Sequence, residues 1–361
     1  MKKLLAVLLA LFMVFSLVGC GNGNGGNEGG GTEPTGGDEP TEKQWSAVFI
    51  TSTPRGNEFT DLIWSGLVQL GDEGWKVDCI ETFETAEITE QVRASVANGY
   101  DIIYTQGDDV MTECKNLMSE IRETNPDTWF VYLDTYEKTE DDHTVAVTID
   151  PFESCFIAGY VAANQSETHE LGLMLPMDTP IMARFEYGYY AGAEYADAEA
   201  GMTTTWHKGK TNDWSDTTKG YEATNTLLGN YPNIDILVQC AYISGYGVIQ
   251  AAADAKIPCI GVDDWQGDID PIVFWSAIKS MDVAVYQTGK KIQAGEDVPK
   301  AVEYDLDAGG YAYADVDLKN LKEGLADKVV QLKQDIIDKK VDVFAGNYEE
   351  WRETNFDQSG E

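Results

Sequence analysis

Histidine is almost missing from this chain. His143, His169 and His207 are the three in 361 residues, and none sits in a nucleophile, zinc or triad motif. That withholds the commonest general base and the commonest metal ligand. No C-x-x-C and no mixed Cys/His spacing occurs, so neither a zinc site nor a redox dithiol is written into the sequence. Apart from Cys20 there are five cysteines, an odd number: Cys79, Cys114, Cys155, Cys240 and Cys259 lie mostly in apolar runs and read as free, buried thiols. A Gly-rich phosphate loop is absent. Positive charge is scarce as well. Lys and Arg total 25 against 62 Asp and Glu, for a net charge of −37. A field of that sign repels polyanions, excludes nucleic acid as a partner and disfavours a free nucleotide. Asp263, Asp264, Asp268 and Asp270 crowd together but lack the calcium-loop pattern, and read as solvated loop acids. No metal and no cofactor is expected.

What is present begins at the N-terminus. Lys2 and Lys3 precede an apolar run from Leu4 to Val18, the layout of a secretory signal. The run is shorter than the ~20 residues a membrane-spanning helix needs. It ends in Leu17-Val18-Gly19-Cys20, which is like a bacterial lipobox, so residues 1–19 read as signal and Cys20 as the lipidated mature N-terminus, tethered at the extracytoplasmic face of the cell membrane. The rest of 20–44 is Gly, Asn, Thr, Glu and Pro with no large apolar residue, a flexible leash.

From residue 45 the chain alternates. Ser46–Thr51, Lys76–Glu81, Asp101–Gln106, Trp129–Leu133 and Thr144–Ile149 read as strands, with helical spacing between the first four; Phe59, Ile63, Trp64, Leu67 and Leu70 mark the first helix. Asp150-Pro151-Phe152-Glu153 opens another helix with a box-like cap, and a second strand–helix series runs on to Ile257–Val262 and Ile272–Ala277. A helix capped by Ser280, short strands at Val302–Leu306 and Tyr311–Ala314, a helix over Leu318–Lys339 and a polar tail over 346–361 complete the expectation. Alternation of this kind implies parallel strands with helices on both faces, that is, an α/β fold of two Rossmann-like lobes. Lobe 1 is expected over 45–150 plus 273–298 and lobe 2 over 151–272 plus 299–345. The crossings then fall near 150, 272 and 300, with a hinge and a cleft between the lobes.

The Ile257 strand empties into Asp263, Asp264, Trp265 and Gln266, and the next strand delivers Lys279. Groups just past the carboxyl ends of such strands sit where open α/β sheets bind ligands. A carboxylate and an ammonium facing one cleft would hold a polar, hydroxyl-rich molecule; the same spacing also fits loop acids and a solvated lysine. Phe59 and Phe185 each begin a helix on the cleft side, and two facing rings would sandwich a flat heterocycle, though either ring would equally plug its helix onto a sheet.

Several ordered motifs add to this reading: Phe59 with Trp64-Ser65-Gly66-Leu67, Phe156-Ile157-Ala158-Gly159-Tyr160, Pro180-Ile181-Met182-Ala183-Arg184-Phe185-Glu186, Gly245-Tyr246-Gly247-Val248, Gly261-Val262-Asp263, and Lys279 with Asp282-Val283-Ala284-Val285-Tyr286. In this order, over most of 46–340, the chain resembles the basic membrane protein (BMP) family of lipoproteins, nucleoside-binding subunits of ABC importers with the type I periplasmic-binding-protein fold. The resemblance implies that Phe59 and Phe185 clasp a purine, that Asp263 and Lys279 grip ribose, and that Gly245 lies in a turn lining the site. Thr60 and Asp108 join the candidate ligand contacts, and Trp265 enters as a stacking surface or a lid. Relatives usually carry an Asp at the end of the first strand and an Asn after the phenylalanine; Ser52 or Thr53 and Thr60 stand there, and Arg55 is new. The partners so implied are a nucleoside-like small molecule, an ABC permease and the membrane through the lipid, with the protein acting as a monomer. A surface sensor on the same fold, or an enzyme acting on sugars or nucleosides, are the competing readings; the second lacks a general acid and base.

Overall fold

Short apolar runs closed by polar turns become strands, and amphipathic stretches become helices, in the computed structural model, which describes residues 43–355 apart from Tyr136, Ala345 and Gly346. The signal, Cys20, nearly all of the leash and the last residues of the tail lie outside the described residues. The first series is β1 (Ser46–Thr51), α1 (Glu58–Asp72), β2 (Lys76–Glu81), α2 (Thr85–Ala97), β3 (Ile102–Gln106), α3 (Asp108–Thr124), β4 (Trp129–Leu133) and β5 (Thr144–Ile149). The second is α4 (Phe152–Gln165), β6 (Glu170–Leu175), α5 (Pro180–Ala200), β7 (Thr205–Lys210), α6 (Thr217–Asn230), β8 (Ile236–Gln239), α7 (Gly245–Ala255), β9 (Cys259–Asp263) and β10 (Val273–Ile278). Then come α8 (Met281–Ala294), β11 (Ala301–Tyr304), α9 (Leu325–Ile337) and α10 (Tyr348–Asn355).

The strands form two sheets, ordered β2-β1-β3-β4-β5-β11 and β7-β6-β8-β9-β10, with parallel pairing throughout. Strands covered on both faces read as continuous apolar, β-branched runs, and β5 (TVAVTI) is buried at every position. Helices α1 and α8 cover one face of the six-stranded sheet and α2 and α3 the other. On the five-stranded sheet α4, α5 and α9 lie opposite α6 and α7. Each fully buried side chain on these faces, such as Ile63 or Leu67 on α1, contributes roughly 1.5–3 kcal/mol. In both sheets the order reverses beside the first strand of the series, and the carboxyl-end crevice at such a reversal is where doubly wound sheets bind ligands.

Several expectations are corrected. Residues 273–278 pair with β9 and so belong to the second sheet rather than to lobe 1. The chain crosses after them, at Lys279–Ser280, into α8, which packs on α1. Strand β11 pairs with β5 in the first sheet, not with lobe 2; only the later part of that segment, α9, packs in lobe 2. Tyr311–Ala314 is a bent loop and not a strand, although the Ala312 carbonyl accepts from Ile278 N at 2.9 Å. The long helix expected over Leu318–Lys339 is interrupted at Gly324, whose φ of 81° leaves a short 3-10 turn before α9. Ser280 does not cap α8: its Oγ accepts from Tyr311 N at 3.1 Å. Asp150 does accept from Phe152 N at 2.8 Å, but Glu153 turns to Leu306 N at 2.8 Å instead of closing the box. The tail is not simply polar, because α10 sets Tyr348 4.9 Å from Phe152 and Trp351 5.5 Å from Tyr187, ring centre to ring centre.

Cys114, Cys155, Cys240 and Cys259 are buried, Cys79 is half-buried, and all five are free thiols. Among the described residues no helix is long and apolar enough to cross a membrane, and no group of three or more His, Cys, Asp or Glu is placed to hold a metal ion.

Candidate functional site

The carboxyl ends of both sheets open onto one cleft of about 620 Å³. Each side chain in it arrives by a local device. Asn57 caps α1, its Oδ1 accepting from Thr60 N at 3.0 Å, and so fixes where Phe59 leaves the first turn. Thr179 caps α5 with Pro180 in the first turn, which sets Phe185 one turn further on. Both rings line the cleft, one from each lobe.

Lys279 comes directly off the end of β10. Its backbone N–H donates to the Asp263 carbonyl at 2.9 Å, so the last residue of β9 and the residue after β10 are side by side. The Lys279 side chain is 1% exposed, and its ammonium lies 5.8 Å from the Phe59 ring centre and 5.4 Å from that of Phe185. Because both rings approach the same nitrogen, they share one compartment, and each face attracts the cation.

The partner of that ammonium is Asp134, which follows β4 on the opposite sheet and is the residue the sequence reading missed. Thr148 Oγ1 donates to the same Asp134 carboxylate at 3.1 Å. Asp263 makes no such direct bond. Burial pushes its carboxyl up to about 7; Lys279 pulls the other way, and Asp134, Glu58 and Asp264 add to the rise. Both acids hold left-handed backbone, φ 59° at Asp134 and 70° at Asp263, a conformation Asp tolerates better than most residues and one that collects at ligand sites.

The strand-end turn bearing Asp263 is held from below by Gln266. Its Oε1 accepts from Val262 N at 3.1 Å and from Gln239 Nε2 at 2.7 Å, while its backbone N–H donates to Ser276 Oγ at 3.1 Å. Gly107 has a φ of 106°, and a Cβ there would come 2.2 Å from Ser52 Oγ, so glycine is required where β3 gives way to α3 and Asp108 enters the lining.

Of the eight candidates, Phe59, Asp108, Phe185, Asp263 and Lys279 line the cleft. Thr60, Gly245 and Trp265 do not. Thr60 is fully buried behind Phe59, its Oγ1 accepting from Asn57 Nδ2 at 3.0 Å. A Cβ on Gly245 would lie 2.1 Å from Gln239 Oε1, so that glycine makes room for the amide chain supporting Asp263 rather than for a ligand. Trp265 folds its ring over Gly267. The aromatic surface that Trp265 offered as one of its two readings comes from elsewhere: Tyr242, in the 3-10 turn before α7, stands edge-on to Phe59 at 6.5 Å and to the loop residue Trp214 at 6.3 Å, and both line the cleft. Thr53 also lines it, accepting from Gln106 Nε2 at 3.2 Å. Arg55 pairs with Asp61 at 3.0 Å and lies over Trp64, away from the lining. The arrangement offers apolar ring faces, carboxylate acceptors and one ammonium donor.

The family model described as "ABC transporter substrate-binding protein PnrA-like" (Bmp) matches residues 43–346. The chain is similar to the ABC transporter nucleoside-binding protein BmpA of Lactococcus lactis subsp. cremoris (strain MG1363), at 27% identity over 95% of this chain and 99% of that protein. It is also similar to the CD4+ T-cell-stimulating antigen of Listeria innocua serovar 6a, at 22% identity over 95% of this chain and 98% of that one. Among solved structures, an ABC transporter solute-binding protein from Aeropyrum pernix K1 shares the fold with a TM-score of 0.68 at 21% identity, over 86% of this chain and 96% of that one. Matched by its model across both sheets and every residue of the cleft, the chain belongs to the Bmp family and is a substrate-binding protein of an ABC transporter rather than an enzyme.

Proposed function

We propose that the cleft binds a nucleoside, base between the Phe59 and Phe185 rings and ribose against Asp263 and Lys279, and that the protein delivers it to a membrane permease. The observation that carries this reading is the Lys279 ammonium 5.8 and 5.4 Å from the Phe59 and Phe185 ring centres, with Asp134 and Asp263 beside it. A carboxylate beside an ammonium accepts and donates at once to neighbouring hydroxyls, and the rings stack a flat base, worth about 0.5–1.5 kcal/mol beyond area burial. The nucleoside-binding name of the Lactococcus relative points the same way.

Charge narrows the ligand further. Asp108, Asp134 and Asp263 line the cleft against one lysine, so a phosphate dianion would meet excess negative charge with no free cation among the lining residues to receive it. The reading is therefore a nucleoside and not a nucleotide. The lobes close by rotating about the three crossings near 150, 279 and 305, and the closed shape is what the permease recognises. Lipid on Cys20 keeps the protein, as a monomer, at the outer face of the cytoplasmic membrane, with residues 21–44 as the leash.

Calorimetry of the purified chain with guanosine, inosine, adenosine and guanosine monophosphate tests this. The expected result is micromolar or tighter binding, at least ~8 kcal/mol, for a nucleoside and none for the monophosphate. Binding of a free sugar or of the nucleotide alone would overturn it.

A further inference from the structure

Glu58 is the first residue of α1, next to Phe59, and its carboxylate reaches across to the other lobe. Oε2 accepts from the Tyr246 hydroxyl at 2.8 Å and from Gln266 Nε2 at 3.4 Å. Tyr246 belongs to α7 and Gln266 to the loop after β9, both on the five-stranded-sheet side. Gln266 is 3% exposed and is the same side chain that holds Val262 and Gln239. A hydrogen-bonded chain thus runs from the ring-bearing end of α1 to the turn carrying Asp263 without entering the ligand space. Glu58 and Asp263 also border one small hollow of about 10 Å³ behind Phe59, and Glu58 is among the charges that raise the Asp263 carboxyl.

We propose that Glu58 is a positioning residue, the interlobe latch that sets how long the closed cleft retains its ligand. Its bonds to Tyr246 and Gln266 join groups on opposite lobes, so they exist only while the lobes are together and lower the free energy of that state alone. Both bonds join protein groups only, so the latch needs no ligand to form. Its charge nevertheless opposes that of Asp263. Ligand hydroxyls that donate to Asp263 stabilise its charge against this opposition, which ties the latch to occupancy. The inference rests on the proposed site but concerns release and not recognition.

The test compares the full chain with Glu58→Ala, Glu58→Gln and Tyr246→Phe. Guanosine dissociation is followed by stopped-flow tryptophan fluorescence, and the closed fraction without ligand by energy transfer between dyes on the two lobes. Losing a bond to a charged group predicts dissociation about tenfold faster in Glu58→Ala and Tyr246→Phe, with association unchanged and the closed fraction lowered by a similar factor. Glu58→Gln keeps an acceptor oxygen and stays within about threefold of the unaltered chain. Should Glu58→Ala lose thermal stability, Tyr246→Phe, which removes one hydroxyl, decides. Unchanged dissociation and an unchanged closed fraction, or an effect on association alone, overturn the latch. If none of guanosine, inosine and adenosine binds the unaltered chain, the nucleoside reading fails, while the closed fraction still decides the latch.

Discussion

Lys279 and Asp263 are neighbours through their backbones, with Lys279 N donating to Asp263 O at 2.9 Å, yet the Lys279 ammonium pairs with Asp134 on the other sheet. The cation is therefore already partnered, and in the proposed site the Asp263 carboxylate is free to accept from the sugar.

Replacing Asp263 by Asn consequently spares the ion pair. Two hydrogen bonds to a charged acceptor are worth roughly 1.5–3 kcal/mol each. Calorimetry should show nucleoside affinity falling at least tenfold, with the thermal midpoint held or raised because a buried acid is gone. Full retention of affinity would remove Asp263 from the site.

The pH dependence has a definite sign. With its carboxyl at about 7 in the folded chain against an ordinary 3.8, Asp263 binds a proton in the folded state that the unfolded chain has released. Its contribution to stability is therefore present at and below the unfolded value and is lost as pH rises from about 4 to about 7. Affinity moves oppositely: the ionised form accepts from hydroxyls, so binding should strengthen from pH 6 to 7 and level off by 8. Asp263→Asn should flatten both profiles; persistence of the binding profile in that variant would assign the titration elsewhere.

Lys279→Met leaves Asp134 and Asp263 facing one another with no cation between them. Breaking a buried pair by removing one partner typically costs 3–5 kcal/mol; Asp134, 26% exposed, recovers part of its hydration, so a loss of about 2–3 kcal/mol in denaturant unfolding is expected, together with loss of binding. A variant as stable as the parent would contradict the geometry.

Phe185→Leu keeps apolar bulk and removes the π face. Stacking of about 0.5–1.5 kcal/mol predicts nucleoside binding about two- to tenfold weaker, with little change in binding of a free pentose if one binds at all. Equal weakening toward both would mean that the ring only fills volume.

Gly107→Ala tests the device behind Asp108. A left-handed φ together with a contact 2.2 Å from Ser52 Oγ should cost more than about 1 kcal/mol, read from urea unfolding. Substitution without cost would mean that Ser52 yields freely.

Much of the fold was legible because buried parallel strands announce themselves as apolar runs: β1, β4 and β5 fall where spacing puts them. Sheet membership was not. β10 is apolar in the same way and β11 is a short AVEY edge strand, and nothing in either run names the strand it bonds to across a crossing. Phe59, Asp263 and Lys279 stood out because each sits at the end of an element. Asp134 did not, since Leu133-Asp134-Thr135 reads like any polar exit from a strand. Tyr242, in a single 3-10 turn, and Trp214, in a loop, have no period to betray them. Gly245 was assigned to the lining from the resemblance, while its backbone serves the amide of Gln239. The α10 aromatics lie past residue 346, where net polarity masked two anchoring rings.

The crossing at Lys279–Ser280 lies between a strand of one lobe and a helix of the other. A side chain mounted on a pivot travels least when the bodies it joins swing apart. On the proposed hinge the Lys279 charge would be a nearly stationary post, with the rings and acids moving relative to it as the lobes part.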